Sequence, residues 1–184
     1  MKKVIPLSTL LLLSACQKER QPTSSISHHS EIDNSIINSK NSALLKHNQL
    51  RLLHFQDAPL KYSAKLEADA QAYANKLAQT GRFDHDPQNL EKKYGENLFA
   101  FSKATAPNYN HIIQKWYDEG QYYNYSSNRC QSGHICGHYT QIIWKNSKFL
   151  GCASAKYQKG RFKGGYVTVC KYYPYGNIVG QTPY

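Results

Sequence analysis

The sequence predicts an α+β domain, or equivalently a layered α/β/α arrangement, on three observations. Apolar residues recur at helical spacing in several segments between residues 43 and 146. Two alternating strands flank a glycine-rich turn near the C-terminus. The chain has 184 residues, 12% of them aromatic with 15 tyrosines, which suits one core of ordinary size. A mean hydropathy of -0.67 excludes a polytopic membrane protein, and the aromatic content excludes a wholly disordered chain.

The first elements are not part of that domain. Met1-Lys2-Lys3 is positive and Val4 to Leu13 is mostly apolar. That run is too short to span a bilayer and fits a secretory signal. It ends in Leu13-Ser14-Ala15-Cys16, which resembles the lipobox of bacterial lipoproteins. The resemblance implies a signal peptide over 1–15, cleavage before Cys16, and lipidation of Cys16 as a membrane anchor. Gln17 is not the Asp of an inner-membrane retention signal, which favours the outer membrane. Residues 16–42 read as a flexible tether, with seven serines, balanced charges and no aromatic residue after Cys16.

The domain is expected over 43–184. Leu44, Leu45, Leu50, Leu52 and Leu53 predict a first helix ending before Asp57-Ala58-Pro59. Ser63 as N-cap, Leu66, Ala70, Tyr73 and Leu77 as the buried stripe, and Gly81 as the stop predict a second. Pro107 predicts the start of a third helix, carrying Ile112, Ile113 and Trp116 and closed by Gly120. A short helix is expected from His138 to about Asn146. The end predicts a hairpin, Phe149 to Tyr157 and Tyr166 to Tyr173. With its turn centred on residue 161, Cys152 and Cys170 fall opposite each other, close enough for a disulfide.

Charge is uneven. The formal net charge is +11, and no acidic residue follows Glu119, whereas eight Lys and Arg do. The basic end suggests attraction to anionic lipids or to an anionic envelope polymer. Nucleic acid would answer to the same charge, but the export signal argues against it. Cys130, His134, Cys136 and His138 lie within nine residues and have zinc-ligand chemistry, yet their spacing fits no common zinc pattern.

Four ordered motifs then carry a family resemblance. Residues 137–147, Gly-His-Tyr-Thr-Gln-Ile-Ile-Trp-Lys-Asn-Ser, resemble the first signature of the CAP superfamily, which includes cysteine-rich secretory proteins, venom antigens and plant pathogenesis-related group-one proteins. Residues 166–178, Tyr-Val-Thr-Val-Cys-Lys-Tyr-Tyr-Pro-Tyr-Gly-Asn-Ile, resemble the second. Lys171 departs from it, since a smaller polar residue or Arg is usual there. Gly95-Glu96-Asn97-Leu98 and His47-Asn48-Gln49-Leu50-Arg51 are similar to two further family elements. Residues 123–130 and the terminal Gly180-Gln181-Thr182-Pro183-Tyr184 most resemble the plant group.

The resemblance implies a three-layer α-β-α sandwich with a small, mainly antiparallel sheet. It implies disulfides Cys130–Cys136 and Cys152–Cys170. A third plant disulfide, between sites near Arg82 and at Tyr157, lacks both cysteines here. The last eleven residues resemble a releasable C-terminal peptide of the plant members, but a packed tail that finishes the fold is the favoured reading. The family's polar cavity maps onto His85, Glu96, Glu119 and His138. His85 sits in Phe83-Asp84-His85-Asp86-Pro87, where His-Ser is commoner. Two imidazoles and two carboxylates offer the donors that Zn²⁺ or another divalent cation accepts.

The expected function is a non-catalytic lipoprotein presenting a lipid-, sterol-, metal- or host-protein-binding cleft at the bacterial envelope. The competing expectation is a divalent-metal-dependent hydrolase or peptidase using the same four residues, although no HExxH, G-x-S-x-G or P-loop motif occurs.

Overall fold

The computed structural model describes residues 42–184. The expected signal peptide, Cys16 anchor and nearly all of the tether lie outside these residues. Helix α1 covers residues 42–51. Strand β1 (Lys61–Tyr62), helix α2 (Ala64–Thr80), short helix α3 (Asn89–Lys92) and strand β2 (Gly95–Phe101) follow. Helix α4 (Tyr109–Tyr117) runs into a 3₁₀ turn, Asp118–Tyr122. A two-stranded ribbon pairs β3 (Tyr123–Asn124) with β4 (Arg129–Cys130), ahead of α5 (Gly137–Ile142). Strands β5 (Phe149–Lys156) and β6 (Tyr166–Tyr173) form the predicted hairpin.

The main sheet has the order β1-β5-β6-β2; β1 runs parallel to β5 and the other pairs are antiparallel. Side-chain alternation along β6 divides the core between its two faces. Val167 and Val169 face α2, packing with Ala70, Tyr73, Ala74 and Leu77. Cys170 and Tyr172 face the other layer with Ile112, Ile113, Trp116, Ile142 and Ile143 from α4 and α5. This is the three-layer sandwich.

Local chemistry explains the elements. The Ser63 side chain accepts from the Leu66 amide, and Gly81 ends α2 at a φ of 74° in the left-handed region. Cys152 and Cys170 stand in register and are bonded, as are Cys130 and Cys136. Disulfides of this kind belong to an oxidising compartment outside the cytoplasm. They also exclude a zinc cluster at Cys130 and Cys136, whose thiolates are consumed.

Three expectations need correction. Leu52 and Leu53 are exposed because α1 ends at residue 51, Leu45 is on the exposed face of the helix, and of that set Leu50 is the buried one. Helix α4 is opened by Asn108, whose side chain accepts from the His111 amide, so Pro107 lies before the cap. Helix α5 stops at Ile142, not near Asn146. There the fully buried Arg51 guanidinium donates to the carbonyls of Ile142, Trp144 and Ser147, drawing them away from helical partners. Two more of its bonds go to the Ala58 carbonyl.

Tyr157 donates its hydroxyl to the Arg82 carbonyl at 2.9 Å, tying the end of β5 to the loop after α2. The C-terminal tail is tied to the body, the Lys145 amide donating to the Pro183 carbonyl and Asn128 to that of Gln181 with Pro183 buried, while most of its residues stay exposed.

Candidate functional site

The four predicted polar residues form two similar pairs. His85, on the loop after α2, places Nδ1 2.6 Å from Glu96 Oε1 on β2. His138, in the first turn of α5, places Nδ1 2.6 Å from Glu119 Oε1 in the 3₁₀ turn. In each pair the carboxylate accepts the Nδ1–H, which fixes the ring and leaves Nε2 with its lone pair outward. Asp118, the neighbour that competes with Glu119 in sequence, accepts instead from Gln114 on the exposed side.

Each carboxylate is held independently of its histidine. Glu96 Oε1 also accepts from the Asp86 amide at 3.0 Å, and its Oε2 lies 2.9 Å from the Lys171 ammonium. Glu119 Oε2 accepts from the amides of His138 and Tyr139, at 3.1 and 3.4 Å. The His138 ring stacks on Trp116, centroids 5.7 Å apart and planes 19° apart.

Electrostatics follow from this geometry. The hydrogen bond to Glu96 raises the His85 pKa against the opposing effect of burial. Burial works against Glu96 ionising, but the bond from His85 and the Lys171 charge outweigh it and leave its pKa lowered. Asp86 is likewise lowered, burial being overcome by Lys171 and by the Gln88 amide.

Asn97, next to Glu96, joins the two halves. Its side chain donates to the His138 carbonyl at 3.1 Å and to the Tyr172 hydroxyl at 3.2 Å. Tyr172 in turn meets His47 Nε2 at 2.8 Å, and His47 Nδ1 meets the Ala43 carbonyl at 2.8 Å. One direction of donation satisfies the whole chain: His47 Nδ1–H to the carbonyl, Tyr172 O–H to Nε2, Asn97 N–H to the phenol. Burial lowers the His47 pKa to about 4, with the Ala43 bond opposing and Arg51 assisting, so this ring is neutral. A Cβ at Gly95 would lie 2.1 Å from Gln141 Oε1, so any larger residue there would push the Gln141 side chain aside. That oxygen accepts the Gly176 amide, tying α5 to the segment after β6.

The sequence reading missed Lys171 as a site residue, noting it only as a departure. The pairing of β2 with β6, which the structure supplies, stands Lys171 directly across from Glu96. Among the described residues, no three His, Cys, Asp or Glu side chains are grouped as a ready-made metal cage. The carboxylates are engaged as ring anchors, and the unused donors are the two imidazole Nε2 atoms.

Known proteins share this arrangement of sequence and fold. The CAP family, described as the cysteine-rich secretory protein family, matches residues 44–172. Pathogenesis-related protein 1B of Nicotiana tabacum is 41% identical over 128 residues, which is 68% of this chain and 70% of the tobacco protein. The crystal structure of Na-ASP-1 aligns with a TM-score of 0.63 at 23% identity, covering 78% of this chain; this chain spans only 40% of that one. The structure of NaASP2 with Zn²⁺ aligns with a TM-score of 0.59 at 24% identity, covering 79% of this chain and 84% of that one. With more than half of its length matching that family's model and a tobacco relative 41% identical, the chain belongs to the CAP family of cysteine-rich secretory proteins.

Proposed function

We propose that this protein is an exported, lipid-anchored CAP-domain binding protein whose cleft holds a divalent cation between His85 and His138, without catalysis. The observation that carries the reading is the pairing of both imidazoles with carboxylates through Nδ1, at 2.6 Å each. A metal-binding histidine is typically oriented this way, its second nitrogen held by a carboxylate. His85 and His138 would supply Nε2 donors, and Glu96 and Glu119 would orient the rings and add negative charge. Nitrogen donors favour Zn²⁺ over Mg²⁺. NaASP2 has been solved with Zn²⁺, which makes that ion the first to test.

The anchor reading rests on the Leu13-Ser14-Ala15-Cys16 run. Among the described residues no helix is long and apolar enough to cross a membrane. An acylated Cys16 would therefore supply the attachment to the bacterial envelope, with the outer membrane favoured. Lipids, sterols, anionic envelope polymers and host proteins are the partner classes to screen.

Calorimetry with Zn²⁺ on wild type and His138→Ala tests the cleft. Binding by wild type that is lost in the variant is expected; equal affinity in both would overturn it. Peptide and ester hydrolysis measured with Zn²⁺ present separates binding from catalysis. Turnover abolished by Glu119→Gln would replace this reading with the hydrolase. Fractionation of Cys16→Ala should release the protein from membranes, and retention there would remove the anchor.

A further inference from the structure

Lys171 is fully buried, yet its side chain ends among three oxygens beneath the His85–Glu96 pair. Its Nζ lies 2.8 Å from Asp86 Oδ2, 2.6 Å from Asn89 Oδ1 and 2.9 Å from Glu96 Oε2. The first two contacts are hydrogen bonds. The third is an ion pair, and Glu96 Oε2 has no hydrogen-bond partner among the described residues besides this charge contact. The Tyr73 ring, 5.0 Å away, adds a cation–π contact. An ammonium this deep is tolerated only when its partners are charged and well placed.

These contacts close a ring around Glu96. Asp86 is held twice, by its carboxylate on Lys171 and by its amide on Glu96 Oε1. His85 precedes Asp86 in the chain and bonds the same Oε1. Lys171 and Asp86 cancel in charge, so Glu96 remains the net negative charge of this half. Both are also departures from the family pattern, one beside His85 and one in the second signature.

We infer that Lys171 and Asp86 act together as one positioning unit for His85. They hold Glu96 where it accepts the Nδ1–H of His85, which keeps Nε2 as the open lone pair. Neither residue touches a ligand itself. The inference concerns the orientation of one ring, and it rests on the cation reading only where Zn²⁺ is used as the probe.

The test uses full-length metal-free protein and ¹⁵N shifts of the histidine rings, at a fixed pH where they are neutral. Wild-type His85 is expected as the Nδ1–H tautomer. Lys171→Met and Asp86→Ser should each move it toward the Nε2–H mixture of free imidazole, with His138 unchanged. The pair Asp86→Ser/Lys171→Asn, which removes both charges, should restore the Nδ1–H form. Each single variant should lower Tm by about 10 °C, the double variant by far less. If Lys171→Met does not fold, Asp86→Asn carries the ring measurement, since it keeps the shape and removes one charge.

His85 keeping its Nδ1–H tautomer in the folded single variants would overturn the inference, as would a double variant no better than the singles. Zn²⁺ alone, titrated into the same set, separates this from the proposed function. Wild type that binds no Zn²⁺ but shows the tautomer change removes the cation site and keeps the positioning unit. Zn²⁺ binding with an unmoved tautomer does the reverse.

Discussion

The His85–Glu96 pair is built on a strand above a buried charge, whereas the His138–Glu119 pair is built between helix ends above an indole. In the first, the Glu96 side chain is 1% exposed while the His85 ring is 64% exposed. In the second, ring and carboxylate are both largely covered, 24% and 14% exposed. A carboxylate as deep as Glu96 needs a counter-ion, and Lys171 is across the strand to serve. Glu119 lies nearer solvent and is served by two amides at the start of α5. The same imidazole–carboxylate contact thus depends on an ion pair in one half and on backbone donors and stacking in the other.

The largest effect that sharpens this contrast is expected at Glu96. Glu96→Gln leaves Lys171 facing an amide, and breaking a buried pair should cost about 3 kcal/mol of stability. Urea unfolding of wild type and variant measures it. A loss no greater than that of Glu119→Gln would erase the distinction between the halves.

His47 provides a control of comparable size, since it lies behind both pairs and is neutral. Its folded pKa, about 4, is below the unfolded 6.5 because burial penalises the charged ring. Protons therefore favour the unfolded chain. This contribution is fully present above about pH 6.5 and is lost as pH falls toward 4, by about 3 kcal/mol in all. His47→Gln should flatten that part of the stability–pH curve. An unchanged slope would mean that the acid sensitivity arises elsewhere.

Glu119→Gln should cost about 1 kcal/mol, because the amide oxygen still accepts from the His138 and Tyr139 backbone. Away from both halves, Tyr157→Phe should cost about as little or less, the worth of one hydrogen bond to the Arg82 carbonyl. In that variant the His85 and His138 ring signals should not move. If they do, the site near Arg82 is coupled to the His85–Glu96 pair through the loop that carries His85.

Much of this was determined by the sequence alone. Periodicity, the Ser63 cap and Gly81 set α2, because helix entry and exit depend on side chains a few residues away. Alternation and turn position set the β5–β6 register and with it the Cys152–Cys170 bond, since pairing across a hairpin follows from the turn. The family resemblance singled out His85, Glu96, Glu119 and His138 as candidates, and the structure places them as two imidazole–carboxylate pairs. What only the tertiary structure decided is how their charges are handled. Residues far apart in sequence supply those partners: Lys171 with Asp86 for Glu96, Asn97 with the His138 carbonyl, and Arg51 with the carbonyls beyond α5. Burial makes each partner necessary, and burial is a property of packed layers that no local pattern of residues contains.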